Sequence, residues 1–159
     1  MAYEETARIP LIVRYPPLID AGATPEPLTL VIDLAPTMLE LGGVTPRDAI
    51  QGRSLVPVFS GDASSWRSSI LIEHHSDPFS YIGRSALRRA TNMGYHAVRT
   101  ERYKYIRYTD LEGMDELYDL ETDPYELTNL FDASEAEGTL AEMQNELAAL
   151  LEETGAITE

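Results

Sequence analysis

The 159-residue sequence contains no cysteine. That excludes a disulfide framework, a thiolate metal site and a cysteine nucleophile, and it leaves the cellular compartment open. Basic residues are scarce: 12 Lys and Arg stand against 27 Asp and Glu, for a formal net charge of -15. Nucleic-acid affinity comes largely from cations that neutralise phosphates, so this balance argues against a nucleic-acid partner. No apolar run approaches the roughly 18 residues that suggest a membrane span. The opening residues Met1, Ala2, Tyr3, Glu4 and Glu5 lack the basic and apolar regions of a secretory leader. Internal repeats and low-complexity tracts are also missing. What remains is a globular composition, 43% hydrophobic, sufficient for one domain or two small ones.

The most organised stretch is residues 95–108. Tyr95, His96, Ala97, Val98 and Arg99 lead into the polar triplet Thr100, Glu101, Arg102, and Tyr103, Lys104, Tyr105, Ile106, Arg107 and Tyr108 follow. Aromatic and β-branched residues on both sides of a short polar connection predict an antiparallel hairpin. Seven of the 12 basic residues fall between Arg84 and Arg107, a local basic cluster in an acidic chain. Before the hairpin, the apolar run at 8–15, closed by Pro16 and Pro17, predicts a buried strand. Few strands in this sequence could flank it, so upstream sequence is expected. A helix is predicted from Asp33, whose carboxylate would cap its free amides, with Pro36 in the first turn and a left-handed stop at Gly42 and Gly43. Residues 44–65, rich in proline and glycine, read as a surface connection.

Residues 70–73 and 116–120 predict two further short strands. Ser134 with Glu137 fits a capping box, and Leu140, Met143, Leu147, Leu150 and Leu151 recur at helical spacing up to Gly155. This helix is expected to cover one face of the small sheet.

Several of these words, in this order, carry a resemblance. Val98, Arg99, Thr100 with Arg102, Tyr103, Lys104, Tyr105 and Ile106 is followed by Glu116, Leu117, Tyr118, Asp119, Leu120, Glu121, Thr122, Asp123, Pro124, Tyr125 and Glu126, then Asn129 and Leu130. Together with Tyr3, Glu4, Glu5, Arg8, Ile9, Pro10, Leu11 and Ile12, and with Ile32, Asp33, Leu34, Ala35, Pro36, Thr37 and Leu39, they resemble the C-terminal region of the type I sulfatases, of the alkaline-phosphatase-like superfamily. The resemblance implies an α+β fold: a small antiparallel sheet with a C-terminal helix packed on it, preceded by a trailing strand and helix of a larger α/β sulfatase domain. The expected organisation is 1–62 as the trailing segment of that catalytic domain and 63–159 as the C-terminal subdomain.

Sulfatases of this kind carry a formylglycine, made from Cys or Ser in a Cys/Ser, any, Pro, any, Arg motif, on a calcium ion. Ser76, Asp77, Pro78, Phe79, Ser80 supplies the serine and proline but places Ser80 where arginine is required. The calcium ligands have no matching motif, and the lysine expected a few residues before Tyr3 falls outside the chain. The resemblance therefore implies no catalytic residue, metal or cofactor here; calcium and formylglycine are expected in a full-length parent. The acidic run Asp110, Glu112, Asp115, Glu116, Asp119 does not follow the EF-hand order and reads as a solvated turn.

The candidate substrate-binding residues are His74, His75, Arg84, Arg88, His96 and Arg99. Guanidinium groups hold sulfate or carboxylate oxygens through paired, charge-assisted hydrogen bonds, as a sulfated sugar requires. Arg84, Arg88 and Arg89 sit in a long connection between two predicted strands, where function concentrates. His74 and His75 are adjacent on a strand and must point to opposite faces, so they cannot share one metal. Structural accounts stand beside these: arginines in an acidic chain serve as counter-ions, and Arg99 could pair with Glu73 or Glu101. Asp123 and Asn129 are assigned to a turn. The expected function is that of the C-terminal part of a sulfatase acting on sulfated carbohydrates, inactive alone, with the N-terminal sulfatase domain as its partner. The alternatives are the same region of a phosphonate or phosphodiester hydrolase, or a free-standing non-catalytic binding module.

Overall fold

The computed structural model describes residues 2–45, 48–76 and 93–156. The chain divides into two compact units, Pro10–Ser68 and a second built from Met1–Ile9 with Ser69–Glu159.

The second unit is a four-stranded antiparallel meander in the order β1-β2-β3-β4, comprising β1 Ser69–His74, β2 Tyr95–Thr100, β3 Tyr103–Tyr108 and β4 Glu116–Asp119. The expected hairpin is β2 and β3, joined through Glu101 and Arg102. The Thr100 hydroxyl closes the turn, accepting the Tyr103 amide at 2.9 Å. Register puts Leu71 beside Val98, Val98 beside Tyr105 and Tyr105 beside Leu117, so every second residue of each strand shares one face. That face packs on Met143, Leu147 and Leu151 of the long C-terminal helix Glu137–Thr154. Gly155, at φ 67°, ends the helix in the left-handed conformation as expected.

The opposite face is covered by the N-terminal segment, where residues 4–7 form the short helix α1, Glu4–Ala7. Ala2 packs with Tyr95, Ala97, Ile106 and Tyr118. Between them lies Lys104, 0% exposed, whose ammonium donates to the Ala2 carbonyl at 2.8 Å and the Glu126 carboxylate at 2.8 Å and pairs with Glu4 at 2.7 Å. Glu126 also accepts the Glu4 amide at 2.6 Å. It does so from φ 54°, a left-handed conformation uncommon for a residue with a Cβ. Burial pushes the Glu4 carboxyl up, but hydrogen bonds from Lys104 and Arg99 together outweigh it and hold the group below the usual carboxylate range. Nearby, the hydroxyls of Tyr3, Tyr108 and Tyr118 all donate to the Glu116 carboxylate, at 3.1, 3.2 and 3.0 Å.

The Pro10–Ser68 unit contains α2, Leu34–Leu41, and α3, Val56–Phe59. The left-handed stop after α2 falls on Gly43, φ 66°. Asp33 does not cap α2 as expected. Its fully buried carboxylate instead accepts the amides of Leu30 at 2.7 Å and Arg53 at 2.8 Å and the forked guanidinium of Arg67 at 2.5 and 2.8 Å. A carboxylate out of water must be met by several donors, and three segments converge to supply them. Residues 8–15 do not form the expected strand. An apolar run is drawn into a sheet only when neighbours take up its backbone groups, and no described strand pairs with it here. Ile12 is accordingly 92% exposed. The capping box at Ser134 is not formed either: Ser134–Ala136 is a 3-10 turn leading into Glu137–Thr154, and the Ser134 hydroxyl donates to Glu135 at 3.4 Å.

Candidate functional site

The start of β2 meets the end of β1, with His74 beside Tyr95. Pairing of Glu73 with His96, and of His96 with Arg107, fixes three polar side chains across three strands on one face. His75, two residues beyond Glu73, reaches the same face, its ring centroid 6.0 Å from that of His96. His74 points to the other face and packs on Tyr95 at 5.5 Å. The expectation that the two adjacent histidines diverge thus holds, by the two-residue period of a strand.

Gly94, just before β2, is closely packed. Its amide donates to the Asp110 carboxylate at 2.8 Å, and a Cβ on it would lie 2.2 Å from the Thr109 hydroxyl oxygen and 3.5 Å from the Ser76 amide nitrogen. A side chain at this position would require the Thr109 hydroxyl and the Asp110 carboxylate to move, and Gly94 avoids that close approach.

His96 is the chemically distinctive residue. It is 4% exposed, and neither ring nitrogen has a hydrogen-bond partner among the described residues. The Glu73 carboxylate stands 3.5 Å from its Nε2, close enough for charge attraction but without hydrogen-bond geometry. Burial pushes the imidazole pKa down, Glu73 pulls it up, and Arg107 and His75 push it down further. The ring is therefore held toward its neutral form, able to donate from one nitrogen and accept at the other. Buried polar atoms are nearly always satisfied, so an imidazole with two idle nitrogens marks a place where a further group fits. On the other face His74 Nε2 is buried and likewise without a partner among the described residues.

The remaining candidates divide. Arg84 and Arg88 lie outside the described residues. Arg99 faces away from His96 and pairs with neither Glu73 nor Glu101. Its guanidinium reaches the Glu4 carboxylate through two contacts of 3.3 Å and the Thr100 carbonyl at 2.9 Å. Sequence reasoning missed Glu73 and Arg107 as neighbours of His96; only the strand register, which a single sequence does not print, could have found them. Asp123 and Asn129 hold the turn after β4, as assigned. Asp123 accepts the Thr128 amide at 2.8 Å, and Asn129 accepts the Leu117 amide at 3.0 Å and the Phe131 amide at 2.9 Å. Among the described residues no group of three or more His, Asp or Glu could hold a metal ion.

A family model for the C-terminal part of N-sulphoglucosamine sulphohydrolase matches residues 1–153. The chain belongs to this family. It is 36% identical to an N-acetylglucosamine-6-O-sulfatase of Bacteroides thetaiotaomicron over 96% of its own length and 25% of that relative's. The chain also superposes, with TM-score 0.83 and 30% identity, on 30% of a sulfatase-superfamily structure described as bound to its substrate D-glucosamine-2-N,6-O-disulfate, using 96% of its own residues. A phosphonate monoester hydrolase of Agrobacterium radiobacter is similar too, at TM-score 0.60 and 26% identity over 76% of this chain and 24% of that one. The chain thus spans about a quarter of the length of its curated sulfatase relatives. The antiparallel sheet with its C-terminal helix is the C-terminal fold of the alkaline-phosphatase-like sulfatases.

Proposed function

We propose that this chain serves as the C-terminal part of an enzyme that hydrolyses sulfate esters of carbohydrates, where it closes the substrate site. Residues 1–62 would continue the catalytic α/β domain, and 63–159 would form the subdomain over its mouth. The observation that carries this reading is the buried His96 with two idle nitrogens, flanked by Glu73, His75 and Arg107, in a chain of the sulfatase family. The relatives' names, an N-acetylglucosamine-6-O-sulfatase among them, point to a sulfated amino sugar as substrate.

In this arrangement His96 would exchange hydrogen bonds with a sugar hydroxyl or sulfate oxygen, oriented by Glu73. His75, Arg84 and Arg88 are the further residues proposed to touch the substrate, where Arg84 and Arg88 would grip anionic groups with forked hydrogen bonds; His74 lies on the opposite face of the sheet. Arg99, engaged with Glu4, would act only by ordering the sheet. Calcium and formylglycine belong to the proposed full-length enzyme. The residues present do not fit them: no Cys/Ser, any, Pro, any, Arg motif occurs in the sequence, and no step of ester cleavage is assigned to this chain.

The test is a longer form of the protein carrying the upstream reading frame, assayed on glucosamine 6-sulfate and on a small aryl sulfate. Replacing His96 by Gln, or Arg84 or Arg88 by Ala, is expected to lower kcat/KM on the sugar by about tenfold or more while sparing the aryl ester. That is the cost of one lost charge-assisted contact. Equal losses on both substrates would reduce these residues to structural ones. The similarity to phosphonate monoester hydrolases supports a second reading. Turnover of a phenylphosphonate ester with no turnover of either sulfate would replace the first reading by the second.

A further inference from the structure

A cavity of about 500 Å³ opens at the other end of the sheet, beside the β2–β3 turn. Its volume is within the range of small-ligand sites, about 300–1,000 Å³. Arg99 on its lining is three residues from His96 along β2, at about 3.3 Å each, and on the opposite face of the sheet. Three guanidinium groups and three carboxylates line it. Most of these charges are already matched. Arg99 is engaged by Glu4, and Arg102 by Asp119 at 2.8 Å and by Glu121 at 3.1 Å. Two are not: the side chains of Arg8, at the C-terminal end of α1, and of Glu101, in the turn, make no hydrogen bond or ion pair among the described residues. In a chain of net charge -15, an arginine with no acidic partner, set on the wall of a cavity, is a conspicuous vacancy for an anion. Leu120 and Pro124 add an apolar patch between the charges.

A ligand complementary to this lining must present one negative group, several hydroxyl or ammonium donors, and one apolar face. We propose that the cavity is a second carbohydrate-binding site, taking a sugar ring with one anionic substituent, either a carboxylate or a sulfate. Arg8 holds the anionic group, Glu101 and Glu121 accept hydroxyl or ammonium protons, and the C–H face of the ring lies on Leu120 and Pro124. The inference rests on the reading of the parent as an enzyme of sulfated carbohydrates. It adds a place to hold a sugar away from the residues around His96.

The experiment is a titration of the ¹⁵N-labelled 159-residue chain, at constant ionic strength, with glucosamine 6-sulfate, with glucuronic acid and with neutral N-acetylglucosamine. Saturable amide shifts at Arg8, Glu101, Arg102 and Glu121 are expected with an anionic sugar. The sugar that gives them, the sulfate or the uronate, identifies the anion. The neutral sugar should bind about tenfold more weakly or less, and Arg8→Ala should lower the affinity by a similar factor, with Arg8→Lys restoring part of it. An unchanged spectrum elsewhere verifies that the variant is folded. Absence of shifts, shifts confined to the surroundings of His75 and His96, or affinity indifferent to Arg8→Ala would each overturn the site. No binding at the cavity, with sulfate-ester turnover intact in the longer protein, removes the second site and leaves the proposed function. Binding at the cavity without any such turnover does the reverse.

Discussion

On one side of the sheet, Val98, Tyr105 and Leu117 meet Met143, Leu147 and Leu151 of the C-terminal helix, apolar side chain against apolar side chain. On the other, the N-terminal segment is held by Lys104, the chain's only lysine, between Glu4, Glu126 and the Ala2 carbonyl. The apolar side gains from burial in proportion to area and hardly depends on the direction of approach. The ionic side offers less net stability, because taking charges from water offsets most of their attraction, but it is intolerant of a missing partner. One face therefore holds the subunit together, and the other fixes where a specific segment must sit.

The sharpest way to break this contrast is Lys104→Met. It leaves the Glu126 carboxylate, 1% exposed at its side chain, and that of Glu4 without their shared cation. The expected loss is about 3–5 kcal/mol, the range for breaking a buried pair from one side. Much of it should be recovered when Glu126→Gln is added, since the uncompensated charge is then gone. Denaturant midpoints of the single and double variants measure both. A loss under about 1 kcal/mol for Lys104→Met would mean that water reaches the cluster, and the distinction between the faces would fall.

The matching change on the apolar side is Leu147→Ala, at a residue 1% exposed in the centre of the helix contact. A cavity there is expected to cost about 2–5 kcal/mol. No second substitution of a neighbouring polar residue should restore it. Urea unfolding monitored by circular dichroism gives the number, and rescue of Leu147→Ala by a polar change would blur the two mechanisms.

These two faces were not equally legible in the sequence. The apolar one follows from local periods: alternation in residues 95–108 gave the hairpin, and the helical recurrence of Met143, Leu147 and Leu151 before Gly155 gave the helix that covers it. The ionic one joins residues with no local signal, since Glu4 and Lys104 stand 100 positions apart and meet only through the fold. The same holds for Asp33, read as a helix cap because capping is a local rule, but engaged by Arg53 and Arg67 from farther along the chain. The run at 8–15 shows the converse: its residues fit a strand, yet strand formation depends on a neighbour that the segment itself cannot specify. At the candidate site the histidines were legible by type, whereas Glu73 and Arg107 became visible only through the register.

A smaller effect sharpens the contrast within the site itself, because His96 is buried as deeply as the Lys104 cluster and yet lacks its partners. Burial, Arg107 and His75 hold its imidazole below the usual pKa of about 6.5 against the pull of Glu73. Below that pH the unfolded chain binds a proton that the folded site resists, so stability must fall as the pH drops from about 6.5 toward the folded-state value and stay flat above it. Glu4, Asp33 and Asp119 act in a separate window. Their carboxyl groups are held below the ordinary range, so their contributions are complete above pH about 5 and are lost under more acidic conditions. Thermal midpoints between pH about 7.5 and 5 should therefore decline in the wild type and decline less in His96→Gln, which cannot take up the proton. Identical slopes in the two proteins would show that the imidazole titrates as in water, and that Glu73 or another group already satisfies the nitrogens on which the substrate reading depends.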